Sequence, residues 1–313
     1  MRLIFQEPNR SLKTQDSGGK KICMKATEEQ NAQKNRGKTL YVSDLDGTLL
    51  SRKDRLSPYT VETLNRLLHA GVLFTYATAR SLSSASVVTE GLRMDLPVIV
   101  YNGAFIQSAV TGKVISSQGF SAEERAWIFG LLEDNGIYPF TYKFLEGRER
   151  VHWMRECENE GALRYLGKRI GDPRMQRVAS LEELRSGEVF YFTCIGGREE
   201  LLPVYERRGE FPFARFTLQQ ELYRPEYWLE IMPALATKAY GAKRLKKLLG
   251  CEKIVAFGDA VNDIPLFQAA DACYAVSNAV PQLKKLASGV IGSNEEDGVA
   301  RWLEAHAGLP AVR

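Results

Sequence analysis

Two carboxylates two residues apart, Asp44 and Asp46, follow the apolar run Leu40-Tyr41-Val42 and are followed in turn by Gly47 and Thr48. If Leu40–Asp44 is a strand, its period of two predicts that both side chains aim the same way off the strand's carboxyl end. In open α/β sheets that edge is where ligands bind. Adjacent like charges repel, so a folded chain keeps both ionised only beside a cation, or else one of them takes a proton. Gly47 permits a sharp turn whose exposed N–H groups make an anion nest. Carboxylates, a divalent cation and a phosphate-sized anion satisfy these demands together. The ordinary alternative is a strand that ends in an Asp-rich turn.

A second acidic group, Gly258-Asp259-Ala260-Val261-Asn262-Asp263, follows the apolar run Ile254–Phe257. A strand would deliver Asp259, and Asp263 can point back from the first helical turn. Acidic side chains at a helix start are also ordinary caps. Two strand-end carboxylate sets with no His or Cys among them favour Mg²⁺ over zinc. Lys238 opens a helix, where the dipole disfavours a cation, and an anion there would offset the penalty; an exposed lysine is the plain alternative. Thr78 ends its strand with a hydroxyl able to donate to a phosphate oxygen or to cap a helix. Arg80 and Asn102 carry weaker signals, with surface pairing and turn formation as their ordinary uses.

The elements that position these residues alternate. Apolar strands are expected at Leu40–Asp44, Val72–Ala77, Pro97–Tyr101 and Ile254–Phe257, with helices between them, one opening at Ser57-Pro58 and another ending at Gly250. Nearly continuous apolar strands alternating with helices predict a parallel sheet covered on both faces. The middle has another rhythm: a helix from Ser121 to Asn135 with a Ser121/Glu124 capping box, then short strands dense in aromatics with a turn at Glu146-Gly147. The expected organisation is a disordered tail over 1–37, a core over 38–107, an inserted α+β domain over 108–227, and the rest of the core over 228–313. The first pattern is read as returning from Trp228.

Composition narrows the classes further. The chain has 313 residues, 44% hydrophobic and 26% charged, in the range of soluble globular proteins. No stretch reaches eighteen apolar residues, so no membrane partner is expected. The net charge of +4 sits in residues 1–37, which hold eight Lys/Arg and four Asp/Glu; the remainder holds 34 of each sign. A basic tail is no basic face, so no nucleic-acid partner is expected. Five scattered cysteines without a CxxC pair suit a reducing cytoplasm. The oligomeric state is not legible.

Ser43–Leu50 closely resembles motif one of the haloacid dehalogenase (HAD) superfamily. Thr78, Lys238 and Asp259/Asp263 match the remaining motifs in order, while Asn102-Gly103-Ala104, the insertion and Asn294–Ala300 are similar to the Cof-type branch, subfamily IIB. The resemblance implies a Rossmann-like parallel core with a cap domain and a Mg²⁺-dependent phosphatase acting on a small phosphorylated metabolite. It makes Asp44 the nucleophile and a metal ligand, and Asp46 the general acid/base with its carbonyl on the metal. Thr78 and Lys238, with Gly47, hold phosphoryl oxygens; Asp259 ligates Mg²⁺; Asn262, Asp263, Asn102 and Arg80 support the site. Ala260 and Ala239 stand where the family commonly has glycine. A phosphomutase or a non-catalytic phosphometabolite-binding regulator is the alternative. Because residues 1–37 have no apolar face to bury, deleting them is expected to leave Tm and kcat unchanged, as thermal unfolding and steady-state assays of the truncated chain would show.

Overall fold

The computed structural model describes residues 38–145, 148–221 and 224–307. The tail over 1–37 and the turn expected at Glu146-Gly147 lie outside the described residues. Strand β1 (Thr39–Ser43) leads through the acidic turn to α1 (Pro58–His69), then β2 (Leu73–Tyr76), α2 (Leu82–Val88) and β3 (Pro97–Val100). The cap expected at Ser57 is present: its side chain accepts from the Thr60 N–H, with Pro58 at the first helical position. After the turn Tyr101–Gly103 come β4 (Phe105–Ser108) and β5 (Val114–Ser117), which form a hairpin against β3. The middle of the chain then supplies α3 (Ala122–Asp134), β6 (Phe140–Leu145), β7 (Arg148–Trp153), α4 (Glu160–Gly167) and β8 (Met175–Arg177). It continues through α5 (Leu181–Arg185), β9 (Glu188–Gly196), α6 (Arg198–Glu206), β10 (Ala214–Gln220) and β11 (Tyr227–Pro233). The last part is α7 (Lys238–Leu249), β12 (Lys253–Gly258), α8 (Ile264–Ala269), β13 (Ala272–Val276), α9 (Pro281–Leu286), β14 (Gly289–Ile291) and α10 (Gly298–His306).

Two large sheets and the three-stranded β3-β4-β5 organise the described residues. The first is wholly parallel, in the order β14-β13-β12-β1-β2, and an Ala77–Ile99 bridge carries it on to β3. Its central strands are covered on both faces, with Leu40, Val42, Ala256 and Phe257 inaccessible and Tyr41 and Val255 half-buried, which explains their nearly unbroken apolar sequence. The second sheet runs β10-β11-β9-β6-β7-β8 and is antiparallel except for the β7–β8 pair. One face packs on α3 and α6 through Phe129, Leu132, Leu201, Phe192, Leu229 and Ile231. The opposite face joins the first body through aromatics: Tyr101 and Phe105 meet Phe190 with centroids at 5.1 and 4.5 Å. The dense aromatics of the middle segment are thus core and joint. The Ser121/Glu124 capping box is formed in both directions.

One assignment needs correction. The strand read as the return of the first pattern, Tyr227–Pro233, pairs with β10 and β9 in the second sheet. Its alternation gives the reason: Leu229 and Ile231 enter the apolar core beneath that sheet, whereas Trp228 and Glu230 face the other way. The parallel strands β1 and β12 keep apolar Tyr41 and Val255 at the corresponding alternate positions, where this strand has Glu230. Among the described residues no helix is long and apolar enough to cross a membrane. Cys157, Cys194, Cys251 and Cys273 are free thiols and buried.

Two features have measurable consequences. Gly103, at a φ of +96°, lies so close to the Thr237 carbonyl that a Cβ would collide with it. Thr237 caps α7, so this turn fixes where that helix begins. Gly103→Ala is expected to cost about 1–3 kcal/mol of stability and to lower turnover by shifting Lys238, read by denaturant unfolding and steady-state rates. Lys143 is fully buried and donates to the Glu183 and Leu184 carbonyls at 2.7 and 2.9 Å, where α5 ends. Burial pulls its pKa down to about 8. The folded state therefore binds fewer protons than the unfolded chain between pH 8 and lysine's ordinary value, and stability rises with pH there. Measured against Lys143→Met, wild type is expected to gain about 2 kcal/mol between roughly pH 7.5 and 10. A constant difference in chemical-denaturation midpoints would refute this.

Candidate active site

The carboxyl ends of β1 and β12 lie side by side, because Ser43 pairs with Phe257 in the parallel ladder. The Asp44 N–H continues that ladder by donating to the Phe257 carbonyl at 3.0 Å. Asp44 and Asp259, far apart in sequence, therefore emerge together. Oxygens of Asp44, Asp259 and Asp263 all lie within 4.8 Å of one another. Into this cluster comes Lys238 from the start of α7, itself 1% exposed. Its Nζ donates to Asp44 Oδ1 at 2.5 Å and to Asp263 Oδ1 at 2.7 Å.

The electrostatics follow from the geometry. Burial drives the Asp44 pKa well above the usual carboxylate range; the Lys238 ammonium opposes this, and Asp263 and Asp259 add to it. Asp259 is raised for the same first reason, then by Asp263, with the Thr48 hydroxyl working the other way. Burial penalises the Lys238 ammonium, yet Asp44 and Asp263 outweigh it and hold its pKa above that of an ordinary lysine. Three carboxylates against one ammonium leave the cluster short of positive charge. The Asp263 carboxylate is fully committed: Oδ1 takes Lys238, and Oδ2 accepts from the Asp259 and Ala260 N–H groups, both at 3.1 Å. Asp44 and Asp259 are the members with oxygen left to offer. An all-carboxylate donor set deficient in positive charge fits a hard divalent cation.

The other expected residues are placed as follows. Asp46 does not share the direction of Asp44. The strand ends at Ser43, and the N–H groups of Thr48, Leu49 and Leu50 all turn back onto the Leu45 carbonyl. Strand periodicity is thus lost before Asp46, whose carboxylate stands exposed in the grip of Arg80. Nε of Arg80 donates to both its oxygens at 3.0 Å and Nη2 to one of them at 2.5 Å. Arg80 also reaches Asp54 at 3.1 Å. Gly47, with φ at +77°, passes so close to Asp259 that a Cβ would strike its carboxylate. Thr78 is fully buried and its hydroxyl accepts from the Arg80 N–H at 3.1 Å, a bond within the turn; the cap of α2 is Ser81 rather than Thr78. Asn102 is left-handed at φ +52°; its N–H donates to the Thr78 carbonyl at 2.8 Å, and its buried Oδ1 has no partner. Asn262 lies in the same turn as Asp263 but is exposed.

Several participants went unassigned in the sequence. The Thr48 hydroxyl bridges the two acidic strand ends, 3.1 Å from Asp259 Oδ1 and 3.5 Å from Asp44 Oδ2. The stretch 294–297 clamps the segment after the acidic turn. Asn294 donates to the Leu50 carbonyl at 2.8 Å, Glu295 accepts from the Arg52 N–H at 2.6 Å, and Asp297 accepts from the Thr60 hydroxyl at 2.8 Å. Asn278 ties down the Gly47 carbonyl at 2.8 Å.

Comparison with known proteins bears on the family of the chain. The family model described as haloacid dehalogenase-like hydrolase matches residues 41–303. The chain is 25% identical over 275 residues to the 5-amino-6-(5-phospho-D-ribitylamino)uracil phosphatase YitU of Bacillus subtilis, covering 86% of this chain and 98% of that one. It is 26% identical over 273 residues to the pyridoxal phosphate phosphatase YbhA of Escherichia coli, covering 84% and 96%. In fold, the solved HAD subclass IIB sugar phosphatase BT4131 superposes with a TM-score of 0.63 at 22% identity, over 86% of this chain and 98% of its own. With acidic strand ends and a buried lysine held by a parallel sheet, and with nearly all of the described chain matched, this protein belongs to the haloacid dehalogenase-like hydrolase family.

Proposed function

We propose that the protein is a Mg²⁺-dependent phosphatase that hydrolyses the phosphomonoester of a small metabolite through an aspartyl-phosphate on Asp44. The observation that carries this reading is the Asp44–Lys238–Asp263 contact beside Asp259: a buried carboxylate, oriented by a buried ammonium, in a cluster that lacks positive charge. Asp44 and Asp259, with the Asp46 carbonyl, would hold Mg²⁺, which when bound supplies positive charge to the phosphoryl oxygens.

The chain's own residues divide the work. Lys238 fixes one Asp44 oxygen, and the other attacks phosphorus in line as the bond to the leaving alcohol breaks. Lys238 and Thr78 carry phosphoryl oxygens, Thr78 by donating the hydroxyl proton that its contact with the Arg80 N–H leaves free. Asp46, protonated once it is free of Arg80, gives the departing oxygen its proton, then takes one from the water that attacks the aspartyl-phosphate, which releases phosphate, frees the Asp44 carboxylate and returns Asp46 to its acid form. Asp263 acts through Lys238 and the Asp259 loop as a positioning residue. The unit built on the six-stranded sheet serves as a cap that excludes bulk water and contacts the alcohol half of the substrate.

Two outcomes test the reading. EDTA is expected to abolish phosphate release and Mg²⁺ to restore it, with Asp259→Asn demanding more Mg²⁺; full activity in EDTA would remove the metal from the account. Asp44→Asn is expected to form no phosphoenzyme with any ester. Asp46→Asn, given an aryl phosphate whose leaving group needs little protonation, is expected to phosphorylate Asp44 while steady turnover falls by about 10²–10⁴. Rapid-quench mass spectrometry reads both. Normal turnover by Asp46→Asn, or phosphate on Asp44→Asn, would overturn the assigned roles.

A further inference from the structure

The face of the six-stranded sheet turned toward the first body carries two desolvated charges, Arg215 and Glu230, that form no ion pair among the described residues, although the Tyr191 hydroxyl donates to Glu230. On β9, β10 and β11 the side chains of Phe192, Phe216, Leu229 and Ile231 enter the apolar core. Alternation therefore sends Tyr191, Arg215, Thr217 and Glu230 to the opposite face. Thr217 stands across from Glu230 in the ladder, and Arg215 across from Met232. Two contacts bring this face to the phosphoryl site. Arg215 Nη2 donates at 2.9 Å to the carbonyl of Ala236, two residues before Lys238. The rings of Tyr142 and Tyr191 lie 6.2 and 6.3 Å from that of Tyr101, next to Asn102.

Arg215 and Glu230 are close enough to influence each other yet make no ion pair. Burial raises the Glu230 pKa, with the Tyr191 hydroxyl and the Arg215 guanidinium opposing it, and burial lowers that of Arg215. Arg215 spends Nη2 on the Ala236 carbonyl and the Met232 sulfur and leaves its remaining donors unused. Elsewhere this unit pairs its half-buried charges closely, Arg174 with Glu149 and Asp172, both at 2.6 Å, and Arg164 with Glu226 at 2.8 Å. A carboxylate and a guanidinium held apart on one partly accessible face cost stability that a ligand would offset.

The chemistry of that ligand follows from what is on offer. A carboxylate accepts hydrogen bonds from two hydroxyls, a guanidinium edge donates to their oxygens, and the Thr217 hydroxyl does either. The nearby tyrosine rings meet edge to face, Tyr101 with Tyr142 at 71° and Tyr142 with Tyr191 at 81°, so they are engaged with one another. We propose that Glu230, Arg215 and Thr217 form the subsite for the alcohol half of the substrate, and that this half is polyhydroxylated, as in a sugar or alditol phosphate. This rests on the phosphatase reading above.

The test compares kcat/KM, with Mg²⁺ supplied, for alditol and hexose 6-phosphates, for pyridoxal 5′-phosphate as a planar heterocycle, and for 4-nitrophenyl phosphate, which has no hydroxyl. Wild type is expected to prefer the polyol esters. Glu230→Gln is expected to lower the ratio of polyol to nitrophenyl specificity by about tenfold or more, and Thr217→Val by about threefold. The ratio itself excludes misfolding as the cause, and Thr217→Val carries the test if Glu230→Gln does not fold. A ratio unchanged in both variants, or a wild-type preference for pyridoxal phosphate, would overturn the subsite. Wild type inactive on all of these esters and forming no phosphoenzyme would instead defeat the phosphatase reading beneath it.

Discussion

The structure turns on one buried ammonium. Lys238 has no access to water, so its charge is tolerable only because Asp44 and Asp263 both accept from it. Removing either carboxylate would leave the ammonium a single acceptor, and removing both would strand it in a low-dielectric interior. The demand propagates outward. Asp44 must stand at the end of β1, Asp263 in the turn after β12, and Lys238 at the first position of α7, where the helix dipole works against it. Three elements from distant parts of the sequence are thereby fixed relative to one another to within hydrogen-bonding distance. The Gly103 turn, pressed on the Thr237 carbonyl, sets the third of them.

Much of this was legible in the sequence, for a definable reason. The parallel core reads easily because strands covered on both faces need unbroken apolar runs, and Leu40–Val42 and Ile254–Phe257 supply them. The acidic strand ends, the lysine at a helix start and the caps at Ser57 and Ser121 violate or satisfy local rules within a few residues of themselves. What escaped depends on partners remote in sequence. The hairpin strand Val114–Ser117 is half-buried throughout and lacks a clean alternation. The true address of Tyr227–Pro233 was hidden because its alternation shows only once Trp228 and Glu230 are known to face away from the core. The divergence of Asp46 from Asp44 follows from where β1 stops, which periodicity alone does not fix. Thr48 and Asn278 show their use only when β12 and β13 are laid beside β1.

Family membership and geometry bear on different halves of the reaction. On the reading proposed above, the residues around Asp44 serve the phosphoryl group, which is the same in every phosphomonoester. The polar face with Arg215 and Glu230 serves, on the same proposal, the part that differs between substrates. The two are joined through the short segment Ala234–Thr237, between β11 and α7, where Arg215 holds the Ala236 carbonyl two residues before Lys238.

The strand order has a consequence for biosynthesis. β1 emerges first among the described strands but sits in the interior of its sheet, with β12 as one neighbour, Thr39 opposite Lys253. Its other edge can be filled early by β2; the acidic cluster cannot exist until Asp263 has been made, and the clamp on the following segment waits for Asn294–Asp297. A nascent chain therefore carries an unpaired apolar edge through most of its synthesis while the intervening six-stranded unit forms. Such non-local pairing is intrinsically slow to form. No product that stalls before Asp263 can contain the assembled acidic cluster, so the cluster forms late in translation.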